Sequence, residues 1–134
     1  MIYLLDTNVC ITLLRGKDPV LLQRINARKP ADIALCSVVI GELFYGAALS
    51  NQPALEQAKV DAFARLYVCL SFDDAAAKAF GGLRAHLKKL GTPIGPYDLM
   101  IAASALASNL TLVTHNVVEF SRVPGLMYED WQIP

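Results

Sequence analysis

Short, unbroken apolar runs alternate along this chain with longer stretches of helical period. Tyr3-Leu4-Leu5 and Ile33-Ala34-Leu35-Cys36 are apolar without a polar alternate, the pattern of strands buried on both faces. Val68-Cys69-Leu70-Ser71-Phe72 and Leu110-Thr111-Leu112-Val113-Thr114 read as a third and fourth strand, with a last short one near Leu126-Met127-Tyr128. Helices are predicted from Thr7 to about Arg15, from Asp18-Pro19 to about Lys29-Pro30, and over Ser37–Leu49. Three more are expected from Pro53 to about Tyr67, from Asp74 to about Leu90, and over Tyr97–Ala107.

The punctuation agrees with those bounds. Asp6 or Thr7, Ser37 and Asp73 stand at N-cap positions, where a side-chain oxygen can take an unpaired helix N–H. Gly16 and Gly91 stand where helices stop. In the fourth helix Leu55, Ala58, Ala62, Phe63 and Leu66 recur at helical spacing, and in the fifth the pair Gly81-Gly82 suits close packing against a neighbour. Thr92-Pro93-Ile94-Gly95-Pro96 is a rigid turn-rich loop, and His115 to Phe120 reads as a polar loop. Strands alternating with helices give an α/β fold: a three-layer α/β/α sandwich on a mostly parallel sheet, one domain over residues 1–134.

Composition narrows the class. Of the 134 residues 54% are apolar and 18% charged, which describes a globular chain with an apolar excess that hints at cover by another chain. Lysine plus arginine equals aspartate plus glutamate at 12 each, so nucleic-acid binding would need a local patch or a bound cation. Cys10, Cys36 and Cys69 are odd in number, lack metal-type spacing and lie among apolar residues, reading as reduced core thiols. With no targeting pattern at the start and no apolar run of membrane length, a cytoplasmic protein with no membrane partner is expected.

Three of the twelve acids stand in apolar surroundings that resist an unpaired charge: Asp6, Glu42 and Asp98. Asp6 ends the first strand, Glu42 lies about a turn into the helix after the second, and Asp98 opens the helix before the fourth. Each has an ordinary alternative use: Asp6 as an N-cap, Asp98 as a first-turn partner of the helix dipole, Glu42 as a plain helix residue. Thr114 to Glu119 follows a strand directly, where α/β folds place polar ligands. The basic segment Arg84 to Lys89, with His86, is either a solvated face or a phosphate contact; Arg15, Lys17, His115 and Arg122 flank the same loops.

Taken together, Leu4-Leu5-Asp6-Thr7-Asn8, Ser37 to Gly46, Gly95-Pro96-Tyr97-Asp98-Leu99-Met100-Ile101-Ala102-Ala103 and Val113 to Phe120 resemble the successive motifs of PIN-domain ribonucleases. More narrowly they resemble VapC-type toxins of bacterial toxin–antitoxin pairs, a likeness that extends to Phe120–Leu126 and Glu129-Asp130-Trp131. The resemblance implies a Mg²⁺-dependent endoribonuclease, with Mn²⁺ as a substitute, whose acidic metal-site positions fall on Asp6, Glu42 and Asp98. It implies supporting roles for Thr7, Asn8 and Thr114. Where the family often has a fourth aspartate this chain has Asn116, which brings an amide oxygen but no charge, with Glu119 one turn later as a substitute. It further implies an RNA substrate, with a transfer-RNA anticodon loop as the expected target, a cognate VapB-type antitoxin, and a homodimer. Helix 54–67 and the residues Phe44, Tyr45, Phe63 and Leu66 are candidates for those surfaces, against a default of core packing.

A phosphoacceptor receiver domain is the rival acidic α/β class, but it needs an acidic pair after the first strand and a late lysine, and neither is present. A non-catalytic PIN-like domain binding RNA or a partner is the other alternative, kept open by Asn116.

Overall fold

The computed structural model covers residues 1–134. Five strands, β1 (Tyr3–Leu5), β2 (Ile33–Cys36), β3 (Val68–Leu70), β4 (Thr111–Val113) and β5 (Tyr128–Glu129), form one sheet in the order β3-β2-β1-β4-β5. Every pairing is parallel, with Tyr3 opposite both Ile33 and Thr111. The helices are α1 (Thr7–Arg15), α2 (Pro19–Asn26), α3 (Ser37–Leu49), α4 (Pro53–Ala64), α5 (Asp74–Lys89), α6 (Pro96–Ala107) and the single turn α7 (Val117–Phe120). They flank the sheet, giving the expected sandwich.

Residues of β1 and β2 build the centre of the core: Leu4, Leu5, Ala34, Leu35 and Cys36 are fully buried, as non-alternating apolar strands require. Asp18 caps α2 by accepting from Leu21 N–H at 3.0 Å, and Asp73 caps α5 by accepting from Ala76 N–H at 2.9 Å. Gly16 closes α1 in the left-handed region at φ +67°, where a side chain would strain the backbone.

Several expectations are corrected. The predicted loop over His115–Phe120 contains α7, whose Phe120 is fully buried in the core. Ser37 does not cap α3; Cys36 holds that position, and the Ser37 hydroxyl instead donates to Leu70 O at 3.2 Å, pinning α3 to the end of β3. In α4 only Phe63 of the predicted stripe is buried, beside Val60, while Leu55 and Leu66 face outward. An alanine-rich helix carries apolar residues on two faces, and spacing alone does not say which faces the sheet. Tyr45, 68% exposed, joins Leu66 outside the core, whereas Phe44 packs against it and Phe63 is buried. Cys69 is exposed on the edge strand β3, so only Cys10 and Cys36 are core thiols. A Cβ at Gly81 or Gly82 would meet nothing within 4 Å, so neither glycine serves a close approach. No helix is long and apolar enough to cross a membrane.

Candidate active site

The strand order reverses between β1 and β4, and open α/β sheets hold their ligands outside the carboxyl ends of strands at such a switch point. Asp6 and Thr114 stand at that place, one after each strand, and both are buried. Asp6 Oδ1 accepts from Thr7 N–H at 2.8 Å and Oδ2 from the Thr114 hydroxyl at 2.8 Å. Asp6 is therefore the N-cap of α1 and a fixed acid at the sheet's centre, and the two readings of it coexist.

Glu42, in the second turn of α3, accepts at Oε1 from the Thr7 hydroxyl at 2.7 Å. Thr7 thus ties the α3 carboxylate to the loop that carries Asp6. Asp98 enters from the first turn of α6, started by Pro96 after the proline-rich loop. Glu119 enters from α7, where its Oε2 accepts from Asn116 Nδ2 at 2.9 Å, and Asn116 N–H in turn donates to Thr114 Oγ1 at 3.0 Å.

These four carboxylates act on one another. Asp98 is pushed up from an ordinary 3.8 to about 7, first by burial, then by sharing a hydrogen bond with the Glu119 carboxyl, then by the charges of Asp6, Glu119 and Glu42. Burial also raises Asp6; the Thr114 and Thr7 hydrogen bonds oppose that rise, and the charges of Glu42 and Glu119 add to it. The structure brings the expected acids Asp6, Glu42 and Asp98 within reach of one another's charge. Glu119 joins them beside Asp98, while Asn116 spends its amide on holding Glu119. Asn8 is exposed, and only its carbonyl is engaged, by Thr12 Oγ1 at 2.8 Å.

An all-oxygen, mutually repelling donor set fits a hard divalent cation. No three of the site's acidic groups close on one point as a finished cage. Mg²⁺ keeps several waters and is bound through one or two carboxylates, which Asp6 and Asp98 could supply. Around the site, His115 Nδ1 pairs with Asp130 Oδ2 at 2.8 Å, a partnership across 15 positions that spacing did not announce. Arg84 and Lys88 line a cavity of ≈ 360 Å³ with Pro93 and Pro96, the loop leading into Asp98. Arg122 Nη1 donates to Pro93 O at 3.4 Å on that loop.

A parallel α/β sheet that gathers acids at its switch point is an arrangement suited to a divalent cation and a phosphate ester. Comparison makes it specific: the PIN domain family matches residues 3–126. The chain is 40% identical over 129 residues to the tRNA(fMet)-specific endonuclease VapC of Salmonella typhimurium, covering 96% of this chain and 97% of that one. It is 37% identical over 132 residues to ribonuclease VapC2 of Rickettsia felis, covering 98% of each. The DNA-bound VapBC crystal structure from Salmonella typhimurium superposes with a TM-score of 0.93 at 39% identity over 98% of both chains. VapBC2 of Rickettsia felis, bound to a promoter DNA fragment, gives 0.91 at 35% identity, over 98% of this chain and 99% of that one. This chain belongs to the PIN-domain family, and within it to the VapC-type ribonuclease toxins of toxin–antitoxin systems.

Proposed function

We propose that the chain, acting as one PIN unit, hydrolyses RNA phosphodiesters with Mg²⁺, or Mn²⁺ in its place, at the site of Asp6, Glu42, Asp98 and Glu119. The observation that carries this is the convergence of four carboxylates at the switch point, with the Asp98 carboxyl pushed up to about 7. Such a cluster is costly without a cation to neutralise it.

Asp6 and Asp98 would hold the ion. A divalent cation bound there supplies Lewis-acid polarisation of the phosphate and a water of lowered pKa. Thr114 and the Thr7 N–H keep both oxygens of Asp6 oriented. Glu42, oriented by the Thr7 hydroxyl through Oε1, keeps its other oxygen available to hold the attacking water and accept its proton, or to join the ion's shell. Glu119 restores the charge that Asn116 lacks, and Asn116 fixes its rotamer. The substrate is RNA, a transfer RNA cut in its anticodon loop in the cytoplasm; the relative named for tRNA(fMet) supports the transfer-RNA part of that reading. A VapB-type antitoxin is the expected partner, as VapBC complexes among the structural neighbours support. The exposed Leu55 of α4 and Leu66 just beyond its end suit a homodimer contact.

Cleavage of a bulk transfer-RNA pool tests the reading, run with Mg²⁺, with Mn²⁺ and with EDTA, beside Asp6→Ala and Asp98→Ala. Discrete metal-dependent fragments, absent in both variants while circular dichroism shows the fold intact, are expected. A variant that cuts as well as the wild type would show that the site lies elsewhere. No cleavage by a folded, antitoxin-free sample would favour the non-catalytic alternative.

A further inference from the structure

Beside the carboxylates lies a cavity of ≈ 660 Å³ lined by Val38, Gly41, Glu42, Tyr45, Tyr97 and Met100. It lies within the ≈ 300–1,000 Å³ range of small-molecule sites, with room for a nucleoside. Two features distinguish it from ordinary surface relief. Tyr45 and Tyr97 are 68% and 61% exposed, so two aromatic rings on different helices stand in solvent around one apolar hollow. One of its walls is Glu42, a member of the carboxylate cluster, and Tyr97 is the residue before Asp98 in α6, so the hollow adjoins the cluster through Glu42.

We propose that this cleft receives an unstacked nucleobase next to the scissile phosphate, with Tyr45 and Tyr97 supplying the stacking faces. The proposal rests on the nuclease reading above and adds to it where the substrate's bases go. Charge decides between base and backbone. No basic side chain lines the cleft, and its one ionisable carboxylate, Glu42, repels phosphate. The sugar–phosphate chain therefore belongs over the cation, and the neutral, planar part of the adjoining nucleotide belongs here. Glycine at position 41 leaves the floor open, since a Cβ there would meet nothing within 4 Å. Met100 adds a polarizable thioether suited to an aromatic ring. Base–aromatic stacking tolerates any base, so the cleft would favour single-stranded loops, whose bases can be splayed out, over duplex.

The test uses the full-length chain and an anticodon stem–loop RNA carrying 2-aminopurine walked through its loop, titrated in EDTA so that binding is read without cleavage. At one loop position the wild type is expected to quench the probe, and Tyr97→Ala and Tyr45→Ala each to weaken binding roughly 5- to 150-fold and remove the quench. Tyr97→Phe and Tyr45→Phe, which keep the ring, are expected within about twofold of wild type. Both rings are exposed, so melting temperatures should stay at the wild-type value. Alanine variants that bind and quench like wild type, while wild-type protein still cuts transfer RNA with Mg²⁺, would overturn the cleft and leave the nuclease intact. Alanine variants that turn a dimer into a monomer by light scattering, without losing quench, would assign the cleft to a second copy of the chain and overturn the proposal. Wild-type protein that cuts no RNA yet quenches with tyrosine dependence would sink the nuclease reading and, with it, the cleft's place beside a scissile phosphate.

Discussion

The Thr114 hydroxyl donates to Asp6 Oδ2 at 2.8 Å across a separation of 108 residues, joining the carboxyl ends of the two strands between which the sheet order reverses. Both side chains are buried, and the same Thr114 oxygen accepts from Asn116 N–H at 3.0 Å. One hydroxyl thus orients a central acid and the segment that delivers Glu119.

Replacing Thr114 by valine keeps the shape and removes that hydroxyl. The lost bond leaves a buried carboxylate oxygen and the Asn116 N–H short of a partner, a cost of about 1–3 kcal/mol in urea unfolding. Cleavage should fall and its acidic limb shift to higher pH, since the bond holds Asp6 down against burial. Thr114→Ser should restore most of both. A valine variant with wild-type stability and pH profile would show that the contact is idle.

Asp98 gives a pH dependence of opposite sign to that of an ordinary salt-bridged acid. Its carboxyl rises from 3.8 to about 7 on folding, so the folded chain holds the proton more tightly. The stability it contributes is complete below its unfolded value and is lost as pH climbs from about 4 to about 7. In EDTA the difference in melting temperature between wild type and Asp98→Asn should move against the wild type over that interval. Mg²⁺ should return the wild type's stability at neutral pH and leave Asp98→Asn nearly unchanged. A difference that stays flat with pH would contradict the carboxylate cluster.

Asn116→Ala frees Glu119 without removing it. Second-sphere losses of this kind cost about 10- to 100-fold in metal affinity or activity. The effect should appear as a higher Mg²⁺ requirement, largely overcome at saturating metal, whereas Glu119→Gln should lower the rate even there. Equal behaviour of the two variants would mean that Asn116 meets the ion directly.

Trp131 lies beyond the family match that ends at residue 126, yet it is 1% exposed. Its ring meets Tyr3 edge-on at 4.8 Å, and the Arg28 guanidinium lies 4.0 Å from its centroid. Trp131→Ala should cost about 3–5 kcal/mol in urea unfolding, and Arg28→Ala about 0.5–2 kcal/mol. Changes within experimental error would show that the tail is dispensable to the fold.

The elements were legible because their causes are local. Unbroken apolar runs marked β1 and β2, Asp18 and Asp73 marked helix starts, and Gly16 marked a stop. Asp6, Glu42 and Asp98 stood out because charge among apolar neighbours requires compensation. The outward turn of α4 and the helix at 117–120 were not legible: helical spacing marks a face without saying what it meets, and Phe120 is drawn inward by a core assembled elsewhere.

The sequence by itself determined a parallel α/β sandwich and three of its acids, since hydrophobic period, capping and the cost of isolated charge act over a few residues. Tertiary structure alone decided that β1 lies beside β4, that Thr7 reaches Glu42, that Glu119 meets Asp98, and that two tyrosines share a cleft with Glu42. Those meetings join residues that lie on different elements of the chain, and the order of the strands in the sheet brings those elements together.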